Sequence, residues 1–87
     1  MIFNPKEQAI VRYLYQIDRF APAYEIAQET GISLTTVQKY LVGKLRRYVE
    51  SRIKGRYPVV VDNKEIIRTI HEYRFKTEMV REYLRNK

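Results

Sequence analysis

The sequence predicts a mainly α-helical chain with one small β-hairpin, an α+β domain. Three observations carry this. Apolar residues recur at helical spacing in the first half of the chain, from Ile10 through Leu41. Gly31 breaks that half where a tight reversal needs a left-handed backbone. From Tyr48 onward the apolar period drops to two, around a glycine at Gly55. With 87 residues the chain is expected to form a single domain, 1–87, near the size where one core barely suffices.

The elements follow in order. Asn4-Pro5-Lys6-Glu7 is a helix start: Asn4 caps, Pro5 fits the first helical position and Glu7 suits the first turn. Ile10, Leu14 and Ile17 then place a first helix at about 5–18, with a short connector or brief strand around Phe20. Pro22 opens a second helix, about 22–30, with Ile26 and Ala27 facing inward. Ile32 plugs the turn. Ser33 caps a third helix, with Thr35 and Gln38 as an alternative capping box two residues on. That helix is expected to run to about Arg47, burying Val37, Leu41 and Leu45. Gly43 inside it costs about 1 kcal/mol relative to Ala, unless it marks an early end or a close backbone contact.

Tyr48-Val-Glu-Ser-Arg-Ile alternates, Lys54-Gly55-Arg56 is expected to turn, and Tyr57-Pro-Val-Val-Val returns, giving a hairpin over about 48–61. Pro58 confines its strand to a sheet edge or end. Asp62 or Asn63 is expected to cap a last helix, about 64–85. Ile66, Ile70, Tyr73, Val80 and Leu84 give one apolar stripe, of which Ile66, Ile70 and Tyr73 are expected to pack on the first helix and the hairpin, and Phe75, Met79 and Tyr83 give a second, offset stripe. A kink near Arg74–Thr77, with Thr77 as a new cap, would accommodate both.

Charge narrows the partners. The net charge is +7: residues 1–30 contribute −1, residues 31–61 contribute +6 and residues 62–87 contribute +2. A basic excess concentrated on and after a helix–turn–helix is the electrostatic footprint of a DNA binder. There is no cysteine and only one histidine, so thiolate and polyhistidine metal sites are excluded, and no cofactor is expected. No apolar run approaches a membrane span and no signal-peptide core stands at the N-terminus. The expected location is the cytoplasm, on the nucleoid, or in a host cytoplasm for a viral protein.

Helix, helix-turn-helix, basic hairpin, helix resembles the winged-helix family of transcription regulators. The resemblance rests on Glu25-Ile-Ala-Gln-Glu-Thr-Gly-Ile-Ser-Leu-Thr-Thr-Val-Gln-Lys-Tyr-Leu for the helix-turn-helix, about 22–47. The wing is Tyr48-Val-Glu-Ser-Arg-Ile-Lys-Gly-Arg. The small size is similar to that of short regulators of archaeal viruses and plasmids. The resemblance implies that the third helix enters the major groove with Ser33, Thr35, Thr36, Gln38 and Lys39 toward the DNA. Lys44, Arg46 and Arg47 would touch phosphates, and Arg52, Lys54 and Arg56 would reach the backbone or minor groove. Thr35 and Thr36 serve equally well as helix-capping groups.

The expected function is therefore sequence-specific binding of double-stranded DNA as a transcription regulator. The alternative is a winged-helix protein-interaction module in a replication or transcription assembly. An enzyme is not expected, because Glu50 is the one acidic residue within the basic segment. No small-molecule effector is implied. A homodimer is expected through Phe75, Met79, Val80, Tyr83 and Leu84, left exposed if only one stripe of the last helix meets the core. The competing outcome is that this segment folds back over its own domain.

Overall fold

The computed structural model describes residues 3–85 and has an α+β fold: helices packed on a small three-stranded antiparallel sheet. The elements are α1 (Pro5–Ile17), β1 (Ala21–Pro22), α2 (Ala23–Thr30), α3 (Leu34–Val42), β2 (Val49–Val61), β3 (Lys64–Phe75) and α4 (Val80–Arg85). Single 3-10 turns, Arg46–Tyr48 and Thr77–Met79, precede β2 and α4. Strand order is β1-β3-β2, so β2 is an edge strand, as its Pro58 requires.

Helix starts and stops are set by local chemistry. At α1 the Asn4 N–H donates to Glu7 Oε1 and the Glu7 N–H donates to Asn4 Oδ1, both at 2.8 Å, a complete capping box. Gly31 ends α2 with φ 72°, a conformation that favours glycine, and its N–H donates to the Ala27 carbonyl. Ser33 caps α3 by accepting from the Thr36 N–H at 3.3 Å. The third helix is shorter than expected: it stops at Val42, not near Arg47. A Cβ on Gly43 would lie 2.9 Å from the Lys39 carbonyl oxygen, so this glycine serves a close backbone approach as the chain leaves the helix.

Two expectations about the second half are overturned. Lys54-Gly55-Arg56 is not a turn; β2 runs straight through it, with a bulge between Ile53 and Gly55. The last helix from residue 64 does not exist. Asp62 and Asn63, with φ 51° and 62°, form the hairpin turn, and residues 64–75 return as β3. Both turn positions need positive φ, which Asp and Asn tolerate better than other side chains. Ile66, Ile67, Thr69 and Ile70 are β-branched, and pairing across the hairpin outweighs any helical stripe among them.

The core is one cluster. Ile10, Val11 and Leu14 of α1, Ile26 of α2, and Val37 and Leu41 of α3 are buried, together with Leu45 and Tyr48. The root of the sheet closes it with Val49, Tyr73 and Phe75. Phe75 and Tyr83 are 3% and 1% exposed and meet each other at 5.5 Å between ring centroids, and Tyr15 meets both, at 5.4 and 5.1 Å. The proposed dimer patch is thus corrected: Phe75 and Tyr83 lie in the core of their own chain, Met79 and Val80 pack against it, and Leu84 stays exposed. The segment folds back because three aromatic rings offer more buried area there than solvent exposure would leave them.

α1 and α2 are also tied by a polar clamp. Glu25 accepts from the Tyr13 hydroxyl at 2.6 Å and pairs with Arg19 at 2.9 Å. These donors hold the Glu25 carboxyl below its usual range, the Tyr13 bond first, and the same bond pushes the Tyr13 phenol up to about 12. A depressed folded pKa means stability that is present above the unfolded value, about 4.3, and lost as pH falls through the folded one. The Tyr13 contribution has the opposite sense: it is complete below about pH 10 and lost as pH rises toward 12. Glu25→Gln is expected to cost about 1 kcal/mol at neutral pH and to flatten the acid limb of stability against pH. Urea melts across that range check this; an unchanged acid limb contradicts the clamp.

Candidate nucleic-acid interface

The residues expected to meet DNA fall into two groups once placed in the fold. Thr35, Gln38 and Lys39 stand exposed on α3, whose opposite side is held by Val37 and Leu41. Ser33 and Thr36 are partly committed to the helix start, with their hydroxyls 2.8 Å apart. Arg46 is exposed in the 3-10 turn just beyond α3, and Lys54 and Arg56 are exposed on β2.

The other basic residues are engaged within the chain. Lys44 Nζ lies 3.2 Å from Glu7 Oε1. Glu7 is fully buried and its other carboxylate oxygen has no hydrogen-bond partner among the described residues. Lys44 therefore offsets a buried charge at the joint between α3 and β2. Arg47 pairs with Glu82 of α4 at 3.1 Å and lies over the Tyr48 ring. Arg52 pairs with Glu72 across the hairpin at 3.0 Å and its guanidinium sits 3.9 Å from the centre of the Phe20 ring. These three cations are fixed by carboxylates, so each offers less to a phosphate than its formal charge implies.

The register adds residues that a helical reading of 64–75 concealed. Lys64 and Arg68 are exposed on β3, Arg68 opposite Tyr57. His71 lines a groove of about 380 Å³ between the end of α3 and the hairpin root, with Leu41, Val42, Arg46, Val49, Ser51 and Tyr73. Gln38 borders a smaller groove of about 160 Å³ that also includes Thr69 and His71. The groove walls bring α3 and the hairpin root into one continuous surface. The signal that could have found these residues is the alternation His71, Tyr73, Phe75 against Glu72, Arg74, Lys76.

Among the described residues no cluster of His, Asp or Glu is placed to hold a metal ion, and no helix is long and apolar enough to cross a membrane. No family model, curated protein or solved structure matches the chain.

Removing the Lys44 ammonium would leave the Glu7 carboxylate buried without its counter-charge. Lys44→Ala is expected to lose about 1–3 kcal/mol of stability, whereas Lys39→Ala, on an exposed helix face, is expected to change it by less than about 0.5 kcal/mol. Denaturant unfolding of the two variants compares them; equal losses would remove the structural role assigned to Lys44.

Proposed function

We propose that this chain is a sequence-specific, double-stranded DNA-binding transcription regulator of winged-helix build. In that build α2 and α3 form the helix-turn-helix, α3 is the recognition helix and the β2–β3 hairpin is the wing. The observation that carries the reading is the exposed set Thr35, Gln38 and Lys39 on a rigidly seated α3, flanked by the exposed cations Arg46 and Lys54. Gln can pair bidentately with adenine and Lys can donate to guanine, while Arg46 and Lys54 suit phosphates. Of the cations behind the +6 balance of residues 31–61, Lys39, Arg46 and Lys54 form no ion pair with another described residue and support the same reading, since a site that neutralises phosphates needs such cations.

A binding role is favoured over catalysis by the acidic residues near this surface. Glu50 lies opposite Arg74 and borders a groove with Lys76 and Glu78, and Glu72, on the same strand face, is nearly buried against Arg52. Each of these carboxylates has a cation beside it, and among the described residues no three His, Asp or Glu gather as a Mg²⁺-dependent nuclease site would need. RNA is disfavoured as target because an α-helix does not fit the deep, narrow groove of an A-form duplex.

Two measurements test the reading. With about five phosphates neutralised, log affinity for duplex DNA is expected to fall against log salt with a slope of roughly −4 to −5. A flat titration, or equal binding to single strands, contradicts it. Binding-site selection on random duplex supplies the operator for the second. There Gln38→Ala and Lys39→Ala are expected to reduce operator preference by about 1–3 kcal/mol where a bidentate base contact is lost. Arg46→Ala and Lys54→Ala are expected to weaken all sequences alike and to reduce the slope by about one each. Base preference that shifts with Lys54 but not with Gln38 or Lys39 would reverse the docking orientation.

A further inference from the structure

The outer half of the hairpin is the least supported part of the molecule. From Glu50 outward no residue of β2 is buried, and β3 becomes buried only from Glu72 inward. The described residues span 50 × 22 × 20 Å, and a 13-residue strand accounts for about 43 Å of such a length. A free two-stranded ribbon is marginally stable in water. Yet this one exposes large apolar side chains among its charged ones: Val60 is 72% and Ile67 60% accessible. An exposed apolar patch of this kind marks an interaction surface.

The register identifies what fits that surface. Arg56 is paired with Thr69, Pro58 with Ile67, and Val60 with Glu65. Alternate positions share a face, so these three rows lie side by side on one face of the arm. Read from root to tip, the face is basic at Arg56, apolar at Pro58, Ile67 and Val60, and acidic at Glu65. Neither Arg56 nor Glu65 forms an ion pair with another described residue. The pattern is complementary to itself once reversed.

We infer that two copies of this chain pair through this face, arm against arm and antiparallel. The apolar rows form the centre, and Arg56 of each copy lies against Glu65 of the other. A two-fold axis through the Pro58–Ile67 row creates both charge contacts at once, as an isologous interface requires. A parallel arrangement would set Arg56 against Arg56 and Glu65 against Glu65. Five residues of strand separate Pro58 from Ile53 near the root, about 16 Å, so the two helical bodies stand at opposite ends of the paired arms without collision. Duplex DNA is the poorer occupant of this face, because Glu65 would meet phosphates there while Lys64 and Arg68 lie on the opposite face of the arm. This pairing does not depend on the DNA-binding reading. It replaces the interface expected from the last helix and assigns Arg56 to the partner copy.

Sedimentation equilibrium at tens of micromolar tests it. The wild-type chain is expected to be dimeric. Arg56→Glu and Glu65→Arg each set like charges together twice and are expected to weaken the dimer at least about tenfold. The double variant, with both charges exchanged, is expected to recover most of the wild-type affinity. Ile67→Asp is expected to be monomeric with an unchanged far-ultraviolet circular dichroism spectrum, since the side chain contributes nothing to the core. A monomeric wild type, single variants that stay fully dimeric, or a double variant that does not recover would each overturn the proposal. So would a monomeric wild type whose duplex affinity falls on Arg56→Glu, which returns Arg56 to the DNA.

Discussion

The seating of the sheet root on the helices is the constraint from which the rest of the structure follows. Tyr73 and Phe75 at the inner end of β3, with Val49 and Tyr48 at the start of β2, are buried against α1, α3 and α4. Phe3, Tyr15, Tyr48, Phe75 and Tyr83 form a chain of ring contacts with centroids between 5.1 and 6.3 Å. Aromatic side chains supply much buried area per residue, which matters in a chain this small. Because that cluster consumes the apolar residues of the C-terminal segment, α4 is bound to its own domain. Because it clamps only the inner third of the hairpin, the remainder projects into solvent.

The same cluster fixes where α3 stands relative to the hairpin. Val37 and Leu41 face the core, Gly43 lets the backbone turn away at once, and Leu45 and Tyr48 anchor the connection. Lys44 and the buried Glu7 tie this joint to the start of α1, where Glu7 also completes the capping box. One carboxylate thus serves a helix end and an interhelical contact together. With Glu7 buried and Lys44 reaching it from the surface, the pair adds little net stability, but removing the ammonium leaves a buried carboxylate without its counter-charge, so the pair acts to define the arrangement. The bulge between Ile53 and Gly55 then shifts the register of the ribbon just beyond its last supported residues.

The first half of the fold was legible because its determinants are local. A cap, a capping box, a left-handed glycine and an apolar face with helical period each act within a few residues: Asn4 with Glu7, Gly31 with Ala27, Ser33 with Thr36. The second half depends on pairing between residues far apart in sequence. Ile66, Ile70 and Tyr73 are spaced by four and three, which satisfies a helix as well as an irregular strand. Asp62 and Asn63 are good helix caps and equally good occupants of a left-handed turn. What decides between them is the cross-strand partner, such as Phe75 opposite Val49, and no local window contains both. The candidate surface divided in the same way. Residues on α3 are readable by position, whereas the carboxylates that neutralise Lys44, Arg47 and Arg52 come from distant elements, and Lys64, Arg68 and His71 take their places only through the long-range pairing of β3.

A hairpin longer than its support gives the molecule two regions with different chemistry on one ribbon. Near the root, Arg52 and Glu72 pair across the strands and the surface runs continuously into α3 through Gln38, Thr69 and His71. Farther out, one face sets Arg56 and Glu65 on either side of an apolar middle, while Lys64 and Arg68 lie on the other face. A ribbon that served only phosphate contacts would need neither Val60 nor Ile67 exposed, and cations would serve better than Asp62 and Glu65. A ribbon that served only protein contacts would not need its root joined to the exposed polar face of α3 that carries Thr35, Gln38 and Lys39. β2 also carries Pro58 on its open edge, which removes a backbone donor and disfavours strand addition there, so a partner is directed to the face of the ribbon instead of its edge. Edge protection beside an exposed apolar face is the combination that admits one defined contact while suppressing open-ended sheet growth.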